Sequence, residues 1–160
     1  MASCLKTLLS AAPLLFALTL SASAQPFTYT NARFGTSVTF PDEVFTRQAE
    51  PPANGDGMTF LAPDGASLAI YGSNNALEQT PDQLADFVSE GLSVTYRKVG
   101  KDWVVLSGRD GGEVFYERFE FGKDGVIHAF LLKYPASEPR PNTTRSWVPS
   151  PAASRVPDRP

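Results

Sequence analysis

His128 is the only histidine among 160 residues, and Cys4 is the only cysteine. No triad using a second histidine and no multi-histidine metal site can be assembled from such a chain. His128 shares the Val126/Phe130/Leu132 face of a strand-like run and reads as a structural sheet residue rather than a base. Glu113, Glu117 and Glu120 are the nearest thing to paired carboxylates of the glycosidase kind. Strand spacing puts Glu117 and Glu120 on opposite faces, so all three read as solvated strand charges. No catalytic residue set emerges, and the chain is expected not to be an enzyme.

Two polar clusters remain. Asn54-Gly55-Asp56-Gly57 resembles a fragment of a calcium loop, but the full pattern would put Pro52 at the first ligand and Pro63 at the bidentate glutamate, which fails. Gly72-Ser73-Asn74-Asn75 supplies a glycine, a hydroxyl and two amides suited to a small polar ligand; the competing reading is a loop ahead of a helix. Asp56, Ser73, Asn74 and Asn75 are accordingly the candidate ligand-binding residues. No phosphate-cradling glycine motif occurs, and neither a metal nor another cofactor is expected. Asn142-Thr143-Thr144 matches a glycosylation sequon.

The elements that position these residues alternate strand and turn signals. Ser37-Val38-Thr39-Phe40 alternates and stops at Pro41. Met58–Leu61 and Ser67–Tyr71 flank Pro63-Asp64-Gly65 and predict a hairpin. Thr80, Pro81 and Gln83 form a helix start with a capping box, and Leu84, Phe87, Val88 and Leu92 then give one apolar stripe ending near Gly91. Four strand-like runs follow, 94–99, 103–107, 114–121 and 126–134. Their short Gly- and Asp-containing links permit antiparallel neighbours only, hence a four-stranded meander. The last run is apolar on both faces, as in a strand covered on both sides. The fold class predicted is α+β: a curved antiparallel sheet of about six strands, one helix and a disordered C-terminal tail. A single helix cannot cover both faces, so a second apolar helix after Pro135 would be needed.

Both ends differ from this middle. Residues 1–24 read as a bacterial Sec-type signal peptide: Lys6, an apolar run from Leu8 to Leu20 interrupted by Pro13, and an A-x-A pattern at Ala22 and Ala24. That run is too short for a membrane span, given the ~20 apolar residues one requires, and no stable span is expected after cleavage. The address is therefore periplasmic or secreted, and loss of Cys4 leaves no thiol for a disulfide. The central residues 25–135 carry nine basic and fifteen acidic side chains, a net charge of −6, without a Lys/Arg cluster. A nucleic-acid partner is disfavoured on that ground. Residues 136–160 contain six prolines and Trp147 as the one large apolar residue, the composition of a disordered tail. Read two bases later from Pro141, the fixed codon positions permit a segment with helix-compatible apolar spacing, so a frameshift would account for the missing helix.

The order of these elements, with Tyr29-Thr30-Asn31-Ala32-Arg33-Phe34-Gly35 leading to Val38, Phe40 and Pro41, resembles the PsbP-like superfamily over roughly residues 27 to 135. That resemblance implies a curved antiparallel sheet with helices packed on it, usually in a non-enzymatic protein that binds or helps assemble something else. The function expected is an exported binding or assembly module of the bacterial envelope, partnered by an envelope protein or a small ligand. Two alternatives are a small apolar-ligand carrier enclosed by Phe115, Phe119, Phe121, Phe130 and a helix, and an envelope hydrolase using Glu117, Asp56 or His128.

Overall fold

The computed structural model describes residues 26–137. The signal peptide read at 1–24 and the tail read beyond Ser137, with its sequon and proposed frameshift, lie outside the described residues.

The first element is a hairpin of β1 (Pro26–Thr30) and β2 (Ser37–Pro41). Asn31 builds its turn: Oδ1 accepts from the Arg33 and Phe34 amides at 3.1 and 2.8 Å, and Gly35 turns at a φ of 71°. Nδ2 of the same residue donates to the Gly55 carbonyl at 3.0 Å, pinning the hairpin to the loop before the next strands. Outward, Thr28 and Thr39 hydroxyls pair at 2.8 Å. Inward, Tyr29, Val38 and Phe40 meet the main sheet.

That sheet has seven strands, β3 (Arg47–Gln48), β4 (Gly57–Leu61), β5 (Ser67–Asn74), β6 (Ser93–Val99), β7 (Trp103–Asp110), β8 (Glu113–Phe121) and β9 (Val126–Pro135). Their spatial order is β3-β4-β5-β9-β8-β7-β6, with every neighbouring pair antiparallel. The four-stranded meander is thus present as β6 to β9, and its last strand returns beside β5. The 63–65 reversal closes the β4–β5 hairpin, with Ala62 N–H donating to the Ala66 carbonyl at 2.8 Å. Among the described residues the strands number nine rather than about six. The Ser37–Phe40 run pairs with a preceding strand, and both belong to a separate two-stranded layer.

Among the described residues that layer covers part of the second face of the sheet; any helix beyond Ser137 falls outside them. Phe60 of β4 is its hub, with ring centroids of Phe40, Tyr29 and Phe27 at 4.7, 5.4 and 6.0 Å. Val44 and Phe45 fold in beside them against Leu68, Ile70, Phe130 and Leu132. One face of the β4-β5-β9 half is therefore buried under the hairpin and its following loop.

The opposite face of the sheet packs on α1 (Pro81–Ser89), which lies across β6 and β7. Thr80 and Gln83 make the reciprocal capping box, so two otherwise orphaned amides at the helix start are bonded. Leu84 and Ala85 are the buried helix residues, set against Val104, Leu106, Phe115 and Phe119. Phe87, predicted on the stripe, is instead 61% exposed. The line facing the sheet runs through the buried Leu84 and Ala85 and the half-buried Val88, and Phe87, two residues or about 200° from Ala85, falls on the far side of the helix. Strand β9 is covered on both faces, by Phe130 and Leu132 on the hairpin side and by Ile127 and Ala129 on the helix side.

Candidate functional site

The hairpin covers only the β4-β5-β9 half of its face. Across β6, β7 and β8 the same face carries three cross-strand rows, fixed by the register. The first runs Tyr96, Ser107, Tyr116 and Leu132; the second Lys98, Val105, Arg118 and Phe130; the third starts at Trp103 and continues through Glu120 to His128. On β7 the residues are small, Ser107 and Val105. On β6 and β8 they are long or aromatic. The result is a trough along β7 with Tyr96 and Lys98 on one wall, Tyr116 and Arg118 on the other, and Trp103 closing one end. Its volume is ≈ 430 Å³. That lies within the ~300–1,000 Å³ usual for small-molecule sites.

The walls are held by what lies behind them. Tyr116 stacks on Phe130 at 6.0 Å and 23°, so one ring face is fixed against the core. Burial raises the Tyr116 phenol above its ordinary value, against the lowering influence of the Arg118 charge, so the hydroxyl is a proton donor at neutral pH. Arg118 is itself buried, with its guanidinium carbon 5.1 Å from the Trp103 ring centroid and Nε donating to Glu120 Oε1 at 2.9 Å. Lys98 Nζ lies 5.7 Å from the same indole. Gly100 has no side chain because the indole occupies that space: a Cβ there would overlap the ring at Cε2 and Nε1. Tyr96 stands 50% exposed at the open edge. Such a surface offers ring faces for stacking and cations beside them.

None of these residues stands among the candidates read from the sequence. The signal was present as alternation in three successive runs, Tyr96/Lys98, Trp103/Val105 and Tyr116/Arg118. Only the register shows that the three pairs share one face.

The four candidate ligand residues collect at the end of β4 and β5, with the Gly72 amide donating to the Asp56 carbonyl at 2.9 Å. Asp56 Oδ2 accepts from Asn54 Nδ2 at 2.6 Å. Ser73 and Asn74 are exposed at the end of β5, opposite Ile127 and Val126. Asn75 is occupied by its own loop: Oδ1 accepts from the Gln79 amide and Nδ2 donates to the Gln79 carbonyl, both at 2.9 Å.

Glu117 departs from its reading as a solvated charge. It is 6% exposed on the helix-side face and its Oε1 accepts from the Tyr71 hydroxyl at 2.5 Å. Burial raises its carboxyl above the ordinary range, while the Tyr71 hydrogen bond and the Lys133 charge act in the opposite direction. Burial and the Glu117 charge together push the Tyr71 phenol far up, so it donates throughout the accessible pH range. Lys133, nearby, bonds Asp110 at 2.7 Å, and that hydrogen bond raises its amine. Glu120 is likewise tied, to Arg118.

His128 is 4% exposed on the hairpin-side face, its Nδ1 2.9 Å from the Thr36 hydroxyl. Burial lowers its basicity, with Asp124 and Glu120 opposing. The cavity beside it measures only ≈ 10 Å³, about the space of one water and too little for a substrate. Glu117 and His128 project from opposite faces of the sheet and do not converge. Phe130 also lies on the opposite face from Phe115, Phe119 and Phe121, so these four rings enclose no common pocket. Among the described residues no group of histidine, cysteine and carboxylate side chains could hold a metal, and no helix is long and apolar enough to cross a membrane. No protein-family model matches the chain, and no curated protein is significantly similar to it.

Proposed function

We propose that the protein is an exported, non-enzymatic binding module of the bacterial envelope that engages its partner through the β6-β7-β8 trough. The observation carrying this reading is the trough itself. Tyr96, Trp103 and Tyr116, beside Lys98 and Arg118, line a recess on a part of the hairpin-side face that, among the described residues, the hairpin leaves open. The leader-like composition of residues 1–24 supports export. Separation of Glu117 from His128 across the sheet supports a binding role over hydrolysis. The element order, a turn motif that builds a hairpin followed by a hairpin, a capped helix and a meander, supports placement in the PsbP-like plan.

The test is parallel isolation of the protein and its Tyr96→Ala/Lys98→Ala variant from the native cell envelope, with mass spectrometry of whatever remains bound. Both changes fall on exposed side chains. A molecule retained by the parent and lost from a variant with unchanged melting temperature supports the reading. Equal recovery with both, or nothing bound to either, contradicts it.

A further inference from the structure

We infer that the trough takes a sugar acid, a puckered saturated ring bearing one carboxylate, stacked between the β6 and β8 walls with its carboxylate near Lys98. This rests on the trough being a binding surface, and three observations narrow the ligand.

The first is charge. The described domain has a net charge of −6, yet the lining contributes only cations, Lys98 and Arg118. Glu120 neutralises Arg118, with Oε1 2.8 Å from Nη2. One unbalanced positive charge therefore remains in the trough, carried by Lys98. Arg109, exposed on the same face of β7, lies outside the lining. That complement matches a monoanion. A nucleic-acid strand would bring a run of phosphates toward a domain of the same sign.

The second is width. Tyr96 and Tyr116 stand two strands apart across Ser107, a separation of roughly 9.5 Å at the backbone. Two ring faces enclosing a flat aromatic need about 7 Å, taking ~3.5 Å per contact. That spacing leaves room for a single ring between the two walls.

The third is the distribution of polar groups. Tyr96 and Tyr116 each bring a hydroxyl to the walls, at the end of the phenol ring, and the Ser107 hydroxyl is committed to the Phe115 carbonyl at 2.8 Å. Hydrogen bonding is thus offered at the ring's edges while the floor at Val105 stays apolar. A cyclic sugar presents the same division, with C–H groups on its faces and hydroxyls around its perimeter.

Trp103 reports on occupancy because it closes the trough. In a Trp147→Phe background it is the sole tryptophan. The experiment is a fluorescence titration with glucuronate, glucose and benzoate, a planar ring bearing one carboxylate, repeated in Lys98→Ala. Saturable change with glucuronate, weakened about two- to fivefold by Lys98→Ala and by added salt, is expected, that factor being what one exposed charge contact supplies. Glucose is expected to bind weaker than glucuronate by a similar factor. Equal response to glucose and glucuronate overturns the role given to the carboxylate. Tighter binding of benzoate overturns the puckered ring. Silence with all three overturns the ligand class. The broader binding reading is refuted separately, by envelope isolation that shows no dependence on Tyr96 and Lys98.

Discussion

Replacing Tyr71 by phenylalanine removes one oxygen from the chain and isolates the energetics of Glu117. That carboxylate is 6% exposed and accepts from the Tyr71 hydroxyl at 2.5 Å. A hydrogen bond to a charged group contributes about 1.5–3 kcal/mol, so Tyr71→Phe should destabilise the domain by that amount at neutral pH. At roughly 4 °C per kcal/mol for a domain of this size, melting falls by about 6–12 °C. The pH dependence sharpens the prediction. Glu117 has a folded pKa raised above its unfolded value. Its stabilising contribution is therefore complete below the ordinary carboxyl pKa and is lost as pH rises through the folded value. Loss of the Tyr71 donor raises that folded value further. The gap between parent and variant should accordingly be widest at neutral pH and shrink on acidification, when Glu117 is protonated and only a neutral hydrogen bond of ~0.5–1.5 kcal/mol is missing. Glu117→Gln keeps an acceptor without the charge, and Tyr71→Phe on that background should cost only this smaller amount. Urea unfolding of the parent, the two single variants and the double variant across pH is the assay. A Tyr71→Phe penalty that is independent of pH and undiminished in the Glu117→Gln background would refute the bond to a buried carboxylate.

Three further outcomes follow from the packing. His128 is buried with its basicity lowered, so it stabilises above its unfolded pKa, and that contribution is lost as pH falls through the folded value. His128→Asn should therefore lose less stability than the parent between about pH 7 and pH 5, read by urea midpoints. Thr80→Ala removes the hydroxyl that caps α1 and should cost about 0.5–2 kcal/mol, with faster amide exchange in the first helical turn. Leu106→Ala empties a fully buried position beneath the helix and should cost about 2–5 kcal/mol in denaturant unfolding.

Local chemistry made part of this fold legible. The β7–β8 and β8–β9 links advertise themselves through Gly111 and Gly125, which adopt φ values of 58° and 78° that only glycine takes without strain. Thr80, Pro81 and Gln83 likewise specify a helix start within four residues. The hairpin layer was harder to read, because β1 begins at Pro26 and its partner lies beyond the Asn31–Thr36 turn. A lone alternating run such as Ser37–Phe40 does not say which sheet it joins. Long-range pairing hid the rest. Glu117 reads as a surface charge until Tyr71, on a strand two places away, is brought to it. The trough needs three strands in register before Tyr96, Trp103 and Tyr116 share a face. Phe87 fits the helical period, yet the line that meets the sheet runs through Leu84, Ala85 and Val88 and leaves it outward.

On the proposed function, binding takes place on the half of the hairpin-side face that the described residues leave uncovered. Amide chemical-shift mapping of the labelled protein against the molecule recovered from its envelope tests that directly. The account predicts perturbations concentrated on β6, β7 and β8 around Tyr96, Val105, Trp103 and Tyr116. Perturbations centred on Asp56, Ser73 and Asn74, or on the helix-side face around Glu117, would contradict it.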